Sequence, residues 1–345
     1  MKKFLFFSSI AFLLISCREE VSDNSAAFYA DSVPVLKANE LRLDELNAIL
    51  LEDPSNQQAW IEKGEICKEN YDFIAALDAG AKAYAIDSTN IDARMLYAWT
   101  LLNKPNTQLV DIDRAKKHYK YVLSVKENNP AVLVELANCY SLTGDFETAF
   151  KFVNDALRID DKFRDAYVLK GSMYKTQGNM KFALSSYQTA VQLDPAFFMG
   201  QLNIGWLLTE AEDHNLALEY YRNALALDPE SINAYYGIAK SYQDMNQFDE
   251  AQFYYRELLG VDSTFYFAYF NQGIIKHYFQ EELDSAIYYY DMSTSIEPEF
   301  VKGWHQLGEV YLEQGRKPDA ARVFSIVLEL NPDYEPTLAA KEKLR

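Results

Sequence analysis

Residues 301–334 read VKGWHQLGEVYLEQGRKPDAARVFSIVLELNPDY, and most of the chain is built on the same pattern. Trp304, Leu307 and Tyr311 recur at spacings of three and four, which puts them on one side of a helix. Gly315 suits a left-handed turn after that helix, and Pro332 cannot extend the next one. The spacing therefore predicts two helices, over 302–314 and 318–329. Gly308 and Ala320 are small where two antiparallel helices must cross closely. A single pair of this kind buries too little apolar surface alone, so it has to stack on neighbours.

Both small positions recur in step. The first-helix series is Gly64, Ala98, Ala137, Gly171, Gly205, Ala239, Gly273 and Gly308; the second-helix series is Ala76, Ala115, Ala149, Ala183, Ala217, Ala251, Ala286 and Ala320. Tyr119, Tyr187, Tyr221, Tyr255, Tyr290 and Phe324 follow later in most of the second helices. Together with Trp304, Leu307, Tyr311, Gly315 and Pro332, these residues resemble the tetratricopeptide repeat signature, whose period is about 34 residues. The repeats fall at 57–90, 91–129, 130–163, 164–197, 198–231, 232–265, 266–300 and 301–334. The resemblance implies an all-α fold, a right-handed superhelical solenoid of helix-turn-helix repeats over 57–334. Amphipathic segments at 39–56 and 335–345 are expected to cap its two ends.

Two repeats depart from the pattern. The second has Arg94 in the aromatic position and extra residues over 104–113, which read either as a contact loop or as a tolerated insertion. The seventh has one residue too many, placed near 281–284.

The first sixteen residues, MKKFLFFSSIAFLLIS, open with Lys2 and Lys3 and continue as an apolar block. The block is shorter than the roughly 20 residues of a membrane-spanning helix but fits a secretory signal. Leu14, Ile15, Ser16 and Cys17 resemble the lipobox of bacterial lipoproteins, which implies cleavage after residue 16 and acylation of Cys17. Several acyl chains would anchor the protein stably. Residues 17–38 then read as a tether without helical periodicity. Arg18, where many lipoproteins kept at the inner membrane have Asp, points to the outer membrane, on its periplasmic face or at the cell surface.

A formal net charge of −18 argues against nucleic acid as a partner. Cys67 and Cys139 fall in first helices separated by a whole repeat, so they are expected to be small buried residues and not a disulfide. His118, His214, His277 and His305 lie in different repeats without zinc-type spacing, and no phosphate-binding loop or nucleophile motif occurs. No cofactor and no enzymatic activity are expected.

With 3.6 residues per turn, the second, fifth, sixth, ninth and thirteenth residues of each repeat lie opposite the core side of the first helix. In the family that these repeats resemble, such positions line a concave groove for peptides or partner helices. Here they include Trp99, Asn138, Asn203, Trp206, Tyr236, Lys240, Phe267, Phe270 and Asn271. Asparagine amides can donate to and accept from a peptide unit at once, and aromatic side chains dominate binding hot spots. Lys240 alone does not make the carboxylate clamp that some family members use for chaperone tails. The expected function is a lipid-anchored envelope scaffold binding a partner segment in this groove. The alternative is a lipoprotein that holds a glycan by stacking on Trp99, Trp206 and Tyr236.

Overall fold

The computed structural model describes residues 33–344. Among them there are eighteen α-helices, one π turn and no strand. The helices divide into two compact units, the first ending at Val122 and the second beginning at Leu123. The expected signal peptide and Cys17 lie outside the described residues.

The first unit holds α1 (Val33–Glu52), α2 (Gln57–Glu69), α3 (Phe73–Ile86), α4 (Ile91–Asn103) and most of α5 (Leu109–Val125). α1 takes in the end of the stretch expected to be tether and most of the expected amino-terminal cap. Its Leu46 and Leu50 are buried with Trp60, Ile61 and Ile66 of α2, and Arg42 Nε donates to Glu62 Oε1 at 2.6 Å. The enlarged loop at 104–113 is ordered by its own side chains. Lys104 Nζ lies 2.7 Å from Asp111 Oδ2, and Thr107 Oγ1 donates to the Lys104 carbonyl at 2.8 Å. The ion pair holds the Asp111 carboxyl below the usual carboxylate range.

The second unit pairs α6 (Pro130–Leu142) with α7 (Phe146–Ile159), α8 (Arg164–Thr176) with α9 (Met180–Leu193), and α10 (Phe198–Glu210) with α11 (His214–Leu227). Next come α12 (Ile232–Asp244) with α13 (Phe248–Val261), α14 (Tyr266–Ile274) with α15 (Leu283–Ile296), and α16 (Val301–Glu313) with α17 (Lys317–Leu330), closed by α18 (Glu335–Glu342).

Local chemistry explains why the chain breaks where it does. The turn inside a repeat requires a left-handed residue, met by Gly144, Gly178 and Gly315 at φ +78°, +73° and +74°. The turn between repeats follows an aspartate. Asp87, Asp160, Asp194, Asp228 and Asp262 each accept from the backbone amide two residues ahead, at 2.8 to 3.1 Å. The small first-helix residue answers to a ring as well as to a helix crossing. A Cβ on Gly308 would stand 2.3 Å from Phe324, the aromatic of its own second helix. The eight alanines of the second-helix series are all fully buried.

The extra residue of the seventh repeat is taken up earlier than expected. α14 continues as a π turn at Ile275–Phe279, a bulge that absorbs one residue without breaking the helix. It carries Tyr278 toward α16, where its hydroxyl donates to Gln306 Oε1 at 2.7 Å.

Candidate functional site

The sequence-expected groove residues divide between the two units and between two environments. Trp99 lies in the first unit and the other eight in the second. Asn138, Asn203, Trp206 and Tyr236 remain half-buried on the first helices α6, α10 and α12. These four keep the partial access that a binding face needs.

Four of the expected groove residues are corrected by the structure. Phe270 is 0 % and Phe267 6 % exposed, and both pack edge-on against Phe300, at 4.9 and 5.5 Å between ring centroids. Phe300 ends the turn into α16, so that turn covers these rings of α14, and they are core. Lys240 is buried in an ion pair with Asp244 one turn on, too enclosed to meet a partner through its ammonium. Asn271 is 1 % exposed and donates through Nδ2 to the Tyr236 hydroxyl at 3.2 Å. Periodicity places a residue on a face of its own helix; it does not say how closely the next repeat closes over that face.

The buried polar groups of α12 and α14 are unevenly satisfied. Gln243 Oε1 accepts from Tyr255 at 2.7 Å, while its Nε2, the second oxygen of Asp244 and Oδ1 of Asn271 have no hydrogen-bond partner. Leaving such groups unmatched costs about 1–3 kcal/mol each, which buried ordered water would offset.

Both groove tryptophans carry an ammonium over one face. Lys68 Nζ of α2 lies 5.0 Å from the Trp99 ring centroid, and Lys175 Nζ of α8 lies 5.0 Å from that of Trp206. A face covered in this way is not open to a sugar ring, which weakens the expectation of glycan stacking on these two residues. Asn203 is committed in part, donating through Nδ2 to the Met199 carbonyl at 2.8 Å and facing Lys175 Nζ with Oδ1 at 3.4 Å. Burial lowers the Lys175 pKa from its ordinary value. Sequence reasoning passed over Lys175 because the twelfth position of a repeat is outside the set taken to face the groove. The repetition of Lys at the twelfth position with Trp at the ninth of the next repeat was the signal that could have found it.

Two histidines are held neutral by burial. The His305 pKa is lowered to about 4, and its Nδ1 lies 2.8 Å from Thr337 Oγ1 of α18. The His118 pKa is also lowered to about 4, by burial first and then by Arg94 beside it. Among the described residues, no group of three His, Cys, Asp or Glu side chains could hold a metal ion. Nor, among them, is any helix long and apolar enough to cross a membrane.

Stacked antiparallel pairs with small crossing residues, left-handed intra-repeat turns and a half-open first-helix face define a helical repeat protein. The chain belongs to the tetratricopeptide repeat family. Profiles described as tetratricopeptide repeat match residues 110–171, 208–264, 301–334 and 165–197, together just over half of the chain. No curated protein sequence matches it. Among solved structures, it is similar to PilW, described as a type IV pilus biogenesis factor, at 20% identity and TM-score 0.53, covering 61% of this chain and 97% of that one. It is similar to PilF of Pseudomonas aeruginosa at 18% identity and TM-score 0.52, covering 62% and 97%. It is also similar to a human IFIT1 dimer with PPP-AAAA at 17% identity and TM-score 0.56, covering 84% and 78%. Identities this low establish a shared fold.

Proposed function

We propose that the protein is a non-enzymatic scaffold that binds an extended segment of a partner protein along the first-helix face of α6 to α12. The observation that carries this reading is the set of half-buried Asn138, Asn203, Trp206 and Tyr236 on first helices of the second unit. Amides and rings at partial access suit a peptide, whose backbone both donates and accepts. PilW, described as a type IV pilus biogenesis factor, shares this fold.

The second part of the proposal is location. Cys17 carries the lipid anchor, residues after it form the tether, and the protein is held at the outer membrane with its groove presented to an envelope partner. Anchoring raises the local concentration of the groove near that partner. Metabolic labelling with a palmitate analogue tests the anchor: wild type takes up label and fractionates with outer membrane, and Cys17→Ala does neither. Uptake of label by Cys17→Ala would refute it. For the groove, a photo-crosslinking residue is placed at Trp206 or at the exposed Phe253 of α13, and envelopes are irradiated. A partner crosslinked from 206 and not from 253 supports the reading, and the reverse pattern rejects it.

A further inference from the structure

The two lysine–tryptophan contacts occupy equivalent places in their repeats and differ in two neighbours, Glu65 against Ser172 and Leu96 against Asn203. Lys68 is the twelfth residue of repeat 57–90 and Trp99 the ninth of the next; Lys175 and Trp206 stand at the same two positions of repeats 164–197 and 198–231. Both ammonium groups lie 5.0 Å from their ring centroids. In the first unit, Glu65, at the ninth position, pairs with Lys68 at 2.9 Å. In the second unit that position is Ser172, which is exposed. Among the described residues no carboxylate pairs with Lys175, and Asn203 Oδ1, at 3.4 Å, is too long to replace one.

A half-buried ammonium that has lost water and gained no anion is unfavourable, most of all when the same geometry elsewhere in the chain brings its own carboxylate. The vacant role is that of Glu65. We propose that Lys175, with Trp206 and Asn203, is the seat for an aspartate or glutamate side chain of the partner segment. This rests on the reading of the first-helix face as a peptide groove and gives that segment a required charge. The carboxylate is a side chain and not a chain end, because groove residues continue on both sides of the seat, Asn138 on α6 and Tyr236 on α12. With Asn203 Oδ1 at 3.4 Å and the Trp206 ring centroid at 5.0 Å, an incoming carboxylate replaces hydration that the ammonium has lost. The overall charge of −18 would repel an acidic partner at long range, so the recognition is local and short-ranged.

The test is selection of random 12-residue peptides displayed on phage against the full chain, followed by fluorescence polarisation with the enriched peptides in amidated form. The expected result is one acidic residue at a fixed position in the enriched set. Changing it to the amide is expected to weaken binding by about tenfold or more. Lys175→Met should weaken binding equally, with no further loss when both changes are combined. Ser172→Glu should do the same by filling the seat from within, while the exposed-surface control Lys181→Met should bind nearly as wild type does. Enriched peptides with no fixed acidic residue, or unchanged binding by Lys175→Met, would overturn the seat and leave the groove reading standing. If no peptide is enriched, both readings fail.

Discussion

The first unit closes its lysine–tryptophan contact with Glu65, and the second leaves the equivalent contact open at Ser172. The helices, the register within the repeat and the distance from ammonium to ring are the same. Two side chains differ, Glu65 against Ser172 and Leu96 against Asn203, and the one three residues before the lysine supplies or withholds the carboxylate. In a repeat protein each unit has the same backbone to work with, so binding specificity is written in departures of this kind, on a frame that the small residues and left-handed turns keep constant.

The largest effect that can sharpen the contrast concerns which residues belong to the frame at all. Phe270→Ala should lower unfolding free energy by about 3–5 kcal/mol, as removal of a fully buried ring does. Trp206→Ala should lower it by less, about 1–3 kcal/mol, because its ring packs against the core but stays partly open. Urea titration of the full chain measures both, and equal midpoints for the two variants would move Trp206 from the groove into the core.

Acid should loosen the two units by related means. His305 and His118 have folded pKa values of about 4, below the unfolded value near 6.5, so the unfolded chain binds protons first as pH falls. The stabilisation is complete above about pH 6.5 and is lost as pH drops from there through about 4. For the more deeply buried His305 this is on the order of 3 kcal/mol. His305→Gln should flatten the stability profile between pH 7 and 4, measured by urea midpoints at each pH. An unchanged profile would show that His305 is not neutral because of its burial.

Exchange of the distinguishing side chains gives the smallest effects. Glu65→Ser should open the first contact and reduce stability by about 0.2–1 kcal/mol, the range for an exposed ion pair. Ser172→Glu should close the second and raise the Lys175 pKa, now lowered by burial, back toward that of an ordinary lysine. Side-chain nitrogen NMR of the lysine ammonium follows this directly. A Lys175 resonance that titrates identically in both variants would mean the introduced glutamate does not reach it.

Much of this architecture was legible in the sequence. Spacing of Trp304, Leu307 and Tyr311 with the two series of small residues fixed helices and repeat period, because helix periodicity and close crossing act on local residues. Gly315 was read as left-handed, and it is. The groove was legible only in part. Asn138, Asn203, Trp206 and Tyr236 keep their partial exposure, whereas Phe267 and Phe270 are covered by Phe300 and Asn271 meets Tyr236 of the preceding repeat, contacts that depend on how neighbouring segments dock. The position of the extra residue in repeat seven was also beyond local pattern, since a π turn at Ile275–Phe279 and a longer loop after it leave the same spacing. Lys175 needed the three-dimensional contact with Trp206, from a neighbouring repeat, before its missing carboxylate had meaning.

The most direct measurement is NMR of the full chain labelled with nitrogen-15 at tryptophan, titrated with an enriched 12-residue peptide. Assignment of the indole resonances by single Trp→Phe variants separates Trp206 from Trp99. The account predicts that the Trp206 indole shifts in a saturable way while Trp99, whose lysine is already paired with Glu65, stays in place. Saturable shifts at Trp99 with none at Trp206 would contradict it, because the closed contact and not the open one would then be the site where the partner docks.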